Sequence, residues 1–225
     1  MILAWWRALV RAIAPRRTDD GTDGTVKVIL GLGNPGREYE QTRHNVGWMV
    51  LDHLADVWRF PGWRKDGEAL TSSGTVGGVA TRLVKPLTYM NLSGQVLRPW
   101  LRRPFWAAAK DLLVVVDEVA LPLGSWRLRA SGSAGGHNGL KSVEHHLKSR
   151  EYPRLRVGIR PEDERREVGD LSDFVLGPFG KVERERVSEL LPTLRAAIES
   201  FVTDGITVAM NRHNATGRAG GASSA

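Results

Sequence analysis

The residues of this sequence best suited to chemistry lie at the ends of apolar runs. His44 stands between Arg43 and Asn45 in the stretch Gly31 to Gly47, which follows the strand-like run Val26 to Leu30. An unperturbed imidazole titrates near pH 6.5, on the order needed by a general base at neutrality. Asp117 and Glu118 close a second apolar run, Leu112 to Val116, so two carboxylates emerge where a strand leaves the core. Two further clusters carry amides. Thr88-Tyr89-Met90-Asn91-Leu92-Ser93-Gly94 holds Asn91, and Gly135-Gly136-His137-Asn138-Gly139-Leu140-Lys141 holds a second imidazole beside Asn138. Taken singly, an asparagine at a helix start serves as an N-cap more often than as a ligand. His137 by itself reads as a loop residue more often than as a base.

Other chemistries fit poorly. The chain has no cysteine, which removes disulfides, thiol nucleophiles and cysteine-ligated metals and suits a reducing compartment. His137, His145 and His146 make a weak metal set, because adjacent histidines diverge on a helix and no carboxylate accompanies them at ligand spacing. Gly31-Leu32-Gly33-Asn34-Pro35-Gly36 is a literal G-x-G-x-x-G after a strand. A dinucleotide fingerprint needs its glycines to open a helix that receives the pyrophosphate. Here they lead into a polar loop, and the next apolar-periodic helix starts near Val46. No strand ending in an acidic residue follows about 20 residues on, as ribose binding expects.

The elements that must position these residues follow from periodicity. Val26 to Leu30 and Leu112 to Val116 read as buried strands, and Val46, Met49, Val50, Leu54 and Val57 have helical spacing, with Asn45 near the N-terminus as a cap. Thr71 to Val76 and Val79 to Val84 form a hairpin at Gly77-Gly78. Tyr89 to Leu101 is helix-like, with Ser93-Gly94 a weak point and Pro99 a kink or boundary. Ser125 to Ala130 is a strand with Arg127 and Arg129 on one face, Asn138 to Ser149 a helix, and Leu155 to Ile159 a strand. Val182 to Val202 is a long helix bent or broken at Pro192.

Strands alternating with helices predict a single α/β domain over residues 26–214: a mixed, mainly parallel twisted β-sheet flanked by α-helices on both faces. Ligands of such sheets bind outside the carboxyl ends of the strands, which places the loops after Leu30 and Val116 together. Residues 1–25 read as a weakly ordered extension. Within it, Met1 to Arg17 mixes Trp5, Trp6 and Leu9 with four arginines, and membrane contact is the less favoured reading. Residues 215–225 read as a disordered tail.

Charge singles out the middle of the chain. The formal net charge is +7, and Thr81 to Arg160 carries 14 Lys/Arg against 5 Asp/Glu while Val26 to Ala80 balances at 6 against 6. A solvated basic surface and a polyanion-binding surface both fit this distribution.

As an ordered set, these motifs resemble the bacterial-type peptidyl-tRNA hydrolases. Gly31 to Gly36 with Tyr39 and Thr42-Arg43-His44-Asn45, then Tyr89 to Gly94, Asp117-Glu118, Gly135 to Lys141 and Arg154-Leu155-Arg156-Val157-Gly158 carry the resemblance, which runs from about Val26 to about Asn214. It implies a single-domain cytoplasmic monomer that hydrolyses the ester between a peptide and the 3'-terminal ribose of tRNA. No metal, cofactor or stable protein partner is implied. By the same resemblance, His44 matches the catalytic base and Asp117 the carboxylate that orients it. Asn34, Asn91 and Asn138 match the amides lining the cleft, and Tyr39 and Met90 match residues that shape it.

Hydrolysis of an activated ester needs a positioned water, a base and a donor for the oxyanion. Neutral His44 can take the water's proton while Asp117 fixes its tautomer, Asn138 orients the water or stabilises the oxyanion, and Asn34 and Asn91 bind peptide backbone. Arg127, Arg129, Lys141, His137 and Arg156 are expected to hold phosphates of the acceptor stem and 3' end, with surface solubility the competing account of Arg127 and Arg129. Two departures from the pattern stand out. Ala120 occupies a position where the family commonly has a second acidic residue, and the extension before Val26 is longer than usual. A non-catalytic RNA-binding protein on the same fold is the alternative function.

Overall fold

Among the described residues, seven strands form one sheet in the order β2 (Arg64–Asp66), β3 (Ala69–Val76), β4 (Val79–Pro86), β1 (Lys27–Gly31), β5 (Leu112–Pro122), β7 (Arg154–Arg160), β6 (Trp126–Arg129). The central pairs β4·β1, β1·β5 and β5·β7 are parallel, and the antiparallel pairs lie toward the edges. The computed structural model describes residues 26–161 and 169–215. The extension Met1 to Thr25, its possible membrane contact, and the tail after Ala215 therefore lie outside the described residues.

The helices are α1 (Val46–Val57), α2 (Arg98–Leu101), α3 (Ala108–Asp111), α4 (Asn138–Leu147), α5 (Leu171–Leu176), α6 (Lys181–Asp204) and α7 (Ile206–His213). Strand alternation explains their distribution. Ile29, Leu113, Val115, Leu155 and Val157 face α1, α6 and α7, whereas Val28, Leu30, Leu112, Val114 and Val116 face α2, α4 and a 3-10 helix over Met90–Leu97. Helices thus cover both faces, as the alternation of elements predicts. Among the described residues no helix is long and apolar enough to cross a membrane.

Several local expectations change on folding. The Tyr89 to Leu101 stretch forms the 3-10 helix followed by α2, and Pro99, in the first turn of α2, marks the boundary between them, the second of its two expected roles. Gly94 is a contact point: a Cβ there would lie 2.2 Å from the Ser142 carbonyl oxygen, and the Gly94 N–H donates to Ser142 Oγ at 3.0 Å. The missing side chain lets the 3-10 helix touch α4. The strand β5 runs on past Val116, so Asp117 is paired in register with Val157 and does not lie beyond the strand end. The long helix is continuous through Pro192. The hairpin forms as expected, and Gly77 and Gly78 take φ of 55° and 84°, the left-handed pair that a two-residue turn between twisted strands requires.

The glycines of the first loop serve backbone approach and open no helix. Gly31 to Gly36 lead into a 3-10 turn at Arg37–Tyr39, and α1 starts only at Val46. A Cβ on Gly47 would lie 2.5 Å from the Leu32 carbonyl oxygen and 2.7 Å from that of Val115. The start of α1 is thereby pressed against the ends of β1 and β5, where the chemistry-bearing residues gather.

Candidate active site

The 3-10 turn Arg43–Asn45 enters α1 with all three residues buried. His44 Nδ1 lies 2.9 Å from Asp117 Oδ1 and 3.0 Å from Oδ2. His137 reaches the same carboxylate from the opposite element, its Nε2 at 2.9 Å from Asp117 Oδ1. His137 is the N-cap of α4, where its Nδ1 accepts hydrogen bonds from the N–H groups of Gly139 at 3.1 Å and Leu140 at 3.3 Å. A nitrogen that accepts twice carries no proton, so the His137 proton is on Nε2 and is donated to Asp117. This corrects the sequence reading on one point: His137, and not Asn138, caps the helix.

Asp117 is buried, and burial alone would raise its carboxyl. The facing His137 and His44 imidazoles outweigh that and hold it below the usual carboxylate range. Its folded value lies below its unfolded one, so the pairing stabilises the fold above about pH 4 and that contribution is lost as pH falls through the depressed value. With Asp117 ionised, His44 donates from Nδ1 and keeps its lone pair on Nε2, which has no protein partner among the described residues.

Asn45 does not cap α1. Its Oδ1 accepts from the Asn34 N–H at 2.8 Å, and its Nδ2 donates to the Asn34 carbonyl at 2.9 Å. Asn34 Oδ1 in turn accepts from the Met90 N–H at 2.8 Å. Both main-chain groups of Asn34 and its side-chain oxygen are therefore engaged, and its Nδ2 is the donor left for a ligand.

These groups line one cleft of about 480 Å³. Asn34, Tyr39, His44, Met90 and Asn91 border it from the β1 loop, the Arg43–Asn45 turn and the 3-10 helix, and Asp117, His137, Asn138 and Arg156 from the other side. The cationic residues are distributed differently. Arg156 faces the cleft but is ion-paired with Glu118. Arg127 and Arg129 do not line the cleft. They lie in register with Arg156 and Arg154 across β6 and β7, half-buried and with no protein partner among the described residues. Lys141 lies in a neighbouring groove with Arg98, His145 and His146, which shares Asn91 and Asn138 with the cleft.

Among the described residues, His44, Asp117 and His137 are the group whose ligand atoms converge, within 4.8 Å. Coordination through His137 Nε2 would move its proton to Nδ1, against two amide N–H groups. The donor set works against a metal and suits a hydrogen-bonded relay. Sequence reasoning did not find Arg43, the bracing by Asn45, Tyr89, or the α5 residues Leu171, Val175 and Leu176 that also border the cleft. The run Thr42-Arg43-His44-Asn45 carried the only hint, three polar residues abutting a helix that starts buried.

Comparison with known proteins adds an independent observation. The family model described as peptidyl-tRNA hydrolase matches residues 28–220. A peptidyl-tRNA hydrolase of Gemmatimonas aurantiaca is 60% identical over 186 residues, covering 83% of this chain and 98% of that protein. One from Fervidobacterium nodosum is 43% identical, covering 83% and 95%. The crystal structure of peptidyl-tRNA hydrolase from Acinetobacter baumannii is similar with a TM-score of 0.75 and 33% identity, over 87% of this chain and 98% of that one.

Bracing by Asn45 is testable by stability. Asn45→Ala leaves the N–H and carbonyl of buried Asn34 unpaired and should cost about 2–4 kcal/mol. The expected result is a lower urea midpoint at unchanged m-value; an unchanged midpoint contradicts the bracing.

Proposed function

Because the chain belongs to the peptidyl-tRNA hydrolase family and hydrolyses peptidyl-tRNA, we propose that His44 is the base that activates the attacking water. His44 Nε2 takes a proton from water as the oxygen attacks the ester carbonyl, and Asp117 accepts the hydrogen bond from Nδ1 and stabilises the imidazolium. The imidazolium then returns its proton to the 3'-oxygen of the ribose as the ester bond breaks. The peptide leaves as a carboxylic acid and the tRNA with its hydroxyl restored. The observation that carries this reading is the pair of contacts from His44 Nδ1 to the Asp117 carboxylate, inside the cleft and with Nε2 unengaged by any described residue.

His137 is the second donor to Asp117 in this reading, and its part is to keep the carboxylate ionised and oriented toward His44. Asn138 acts at the water or the oxyanion. Asn34 Nδ2 and Asn91 bind peptide amide groups, which are common to every substrate, and Tyr39 and Met90 shape the space between them. Hydrolysis by this route requires no metal and no cofactor, and one copy of the chain supplies every group. The substrate, a product of translation, supports a cytoplasmic location. The alternative of a non-catalytic RNA-binding protein is not favoured, given 60% identity to a hydrolase.

For the tRNA we propose the arginines of β6 and β7. Arg127 is the cross-strand neighbour of cleft-lining Arg156, so a cationic strip runs from the cleft edge outward through Arg129. Lys141 borders the cleft by way of the shared groove. Such contacts hold phosphates without reading bases. Arg156 joins them only by sharing or leaving Glu118.

Peptide release from purified peptidyl-tRNA tests the chemistry: the unmodified chain is active and His44→Ala lowers kcat by about 100- to 10,000-fold. An inactive unmodified chain sinks the hydrolase assignment, and an active His44→Ala sinks the base. The double variant Arg127→Ala with Arg129→Ala should raise KM and lower its salt slope by up to about 2 phosphate equivalents, with little change in kcat. A fall confined to kcat refutes the phosphate role.

A further inference from the structure

One wall of the cleft takes no part in the mechanism above. The helix α5 contributes Leu171, Val175 and Leu176 to the lining, yet none of its residues is buried, and Leu171 and Leu176 are 51% and 38% exposed. Six residues do not hold a helix in water by themselves. The element α5 packs against is the 3-10 turn that carries His44, and the fastening is Arg43.

Arg43 is 6% exposed. Its Nη1 donates to the carbonyls of Phe174 and Gly177, both at 3.2 Å, and its Nη2 donates to Glu183 Oε1 at 3.0 Å and Oε2 at 2.7 Å. The guanidinium lies 4.4 Å from the Phe174 ring centroid and 5.6 Å from that of Phe179. The main chain adds Arg43 N–H to the Gly177 carbonyl at 3.1 Å. One side chain thus grips the end of α5 and the start of α6 with a planar fork that a lysine cannot reproduce.

The wall's chemistry narrows its occupant. From Asp170 to Gly180 there is no lysine or arginine, while Asp170 and Asp173 are acidic, so this wall repels phosphate. The cations of the site belong to β6 and β7 and to the α4 groove. The part of the substrate that fits two exposed leucines beside the half-buried Val175 is the acyl group. We propose that α5 forms an apolar subsite for the side chain of the ester-linked amino acid, and that Arg43 is the positioning residue that holds this subsite beside the catalytic turn. The proposal rests on the hydrolase reading above. Asparagine contacts to the backbone admit any peptide, and the α5 wall grades them.

The test compares one tRNA body carrying either N-acetyl-leucine or N-acetyl-glycine. The unmodified chain should favour the leucyl ester in kcat/KM by about tenfold, the size expected for a side chain entering an apolar pocket. Val175→Ser and Arg43→Lys should each reduce that preference through KM on the leucyl ester, and the two changes together should do little more than either alone. If the unmodified chain releases neither ester, the hydrolase reading fails. If it releases both equally well, the subsite is overturned. If Arg43→Lys lowers kcat to the same extent for both esters, Arg43 serves His44 alone and the positioning role is overturned. If Arg43→Lys does not fold by circular dichroism, Glu183→Gln, which loosens the same fork, makes the same comparison with the same two outcomes.

Discussion

The site depends on one buried anion shared by two imidazoles. A carboxylate taken out of water is costly unless its lone pairs are used, and Asp117 uses them on His44 Nδ1 and His137 Nε2. Each histidine is fixed in turn. The ring of His137 is oriented by the amide groups at the start of α4, and that of His44 by the turn leading into α1. The carboxylate therefore joins the end of the first loop, the central strand and the cap of a later helix, three regions far apart in sequence. It also decides the tautomer of His44, as the α4 amides decide that of His137, and this is what turns His44 from a buried histidine into a base with an available lone pair.

The turn Arg43–Asn45 shows how three residues can assemble a site. A 3-10 turn has about three residues per revolution, so successive side chains diverge by roughly 120°. Arg43 reaches the α5–α6 junction, His44 reaches Asp117 on β5, and Asn45 reaches back to the Asn34 main chain. An α-helical start would turn each successive residue by only about 100°, and the three targets would not be met in the same way. Close approach completes the arrangement, because Gly47 lets the start of α1 press on the ends of β1 and β5.

Much of this was legible in the chain. Continuous apolar runs marked β1 and β5 because both faces of those strands are covered, and the paired motifs marked His44 and Asp117. What was illegible came from long-range competition for local groups. Asn45 has the residue type and position of an N-cap, and only the fold reveals that Asn34 uses its amide instead. His137 caps α4 through a ring nitrogen, a role for which Asn138 offered the more familiar side chain. The 3-10 path of Met90–Leu97 follows from packing Gly94 onto Ser142, which no local pattern encodes. The short helix α5 has no fully buried residue and only Phe174 and Val175 packed on the core, too little for a hydrophobic period to read. The register that sets Arg127 against Arg156 required both strands at once.

The central claim is that two histidines of opposite tautomer donate to Asp117, His44 held in its tautomer by that carboxylate and His137 by the α4 amides. Nitrogen-15 NMR of imidazole-labelled protein, at a pH where both rings are neutral, reads this directly. The account predicts the His44 proton on Nδ1 with Nε2 bare, the His137 proton on Nε2 with Nδ1 bare, and loss of the His44 preference in Asp117→Asn. A His44 ring protonated on Nε2 in the unmodified chain, or a His44 tautomer unaltered by Asp117→Asn, would contradict it.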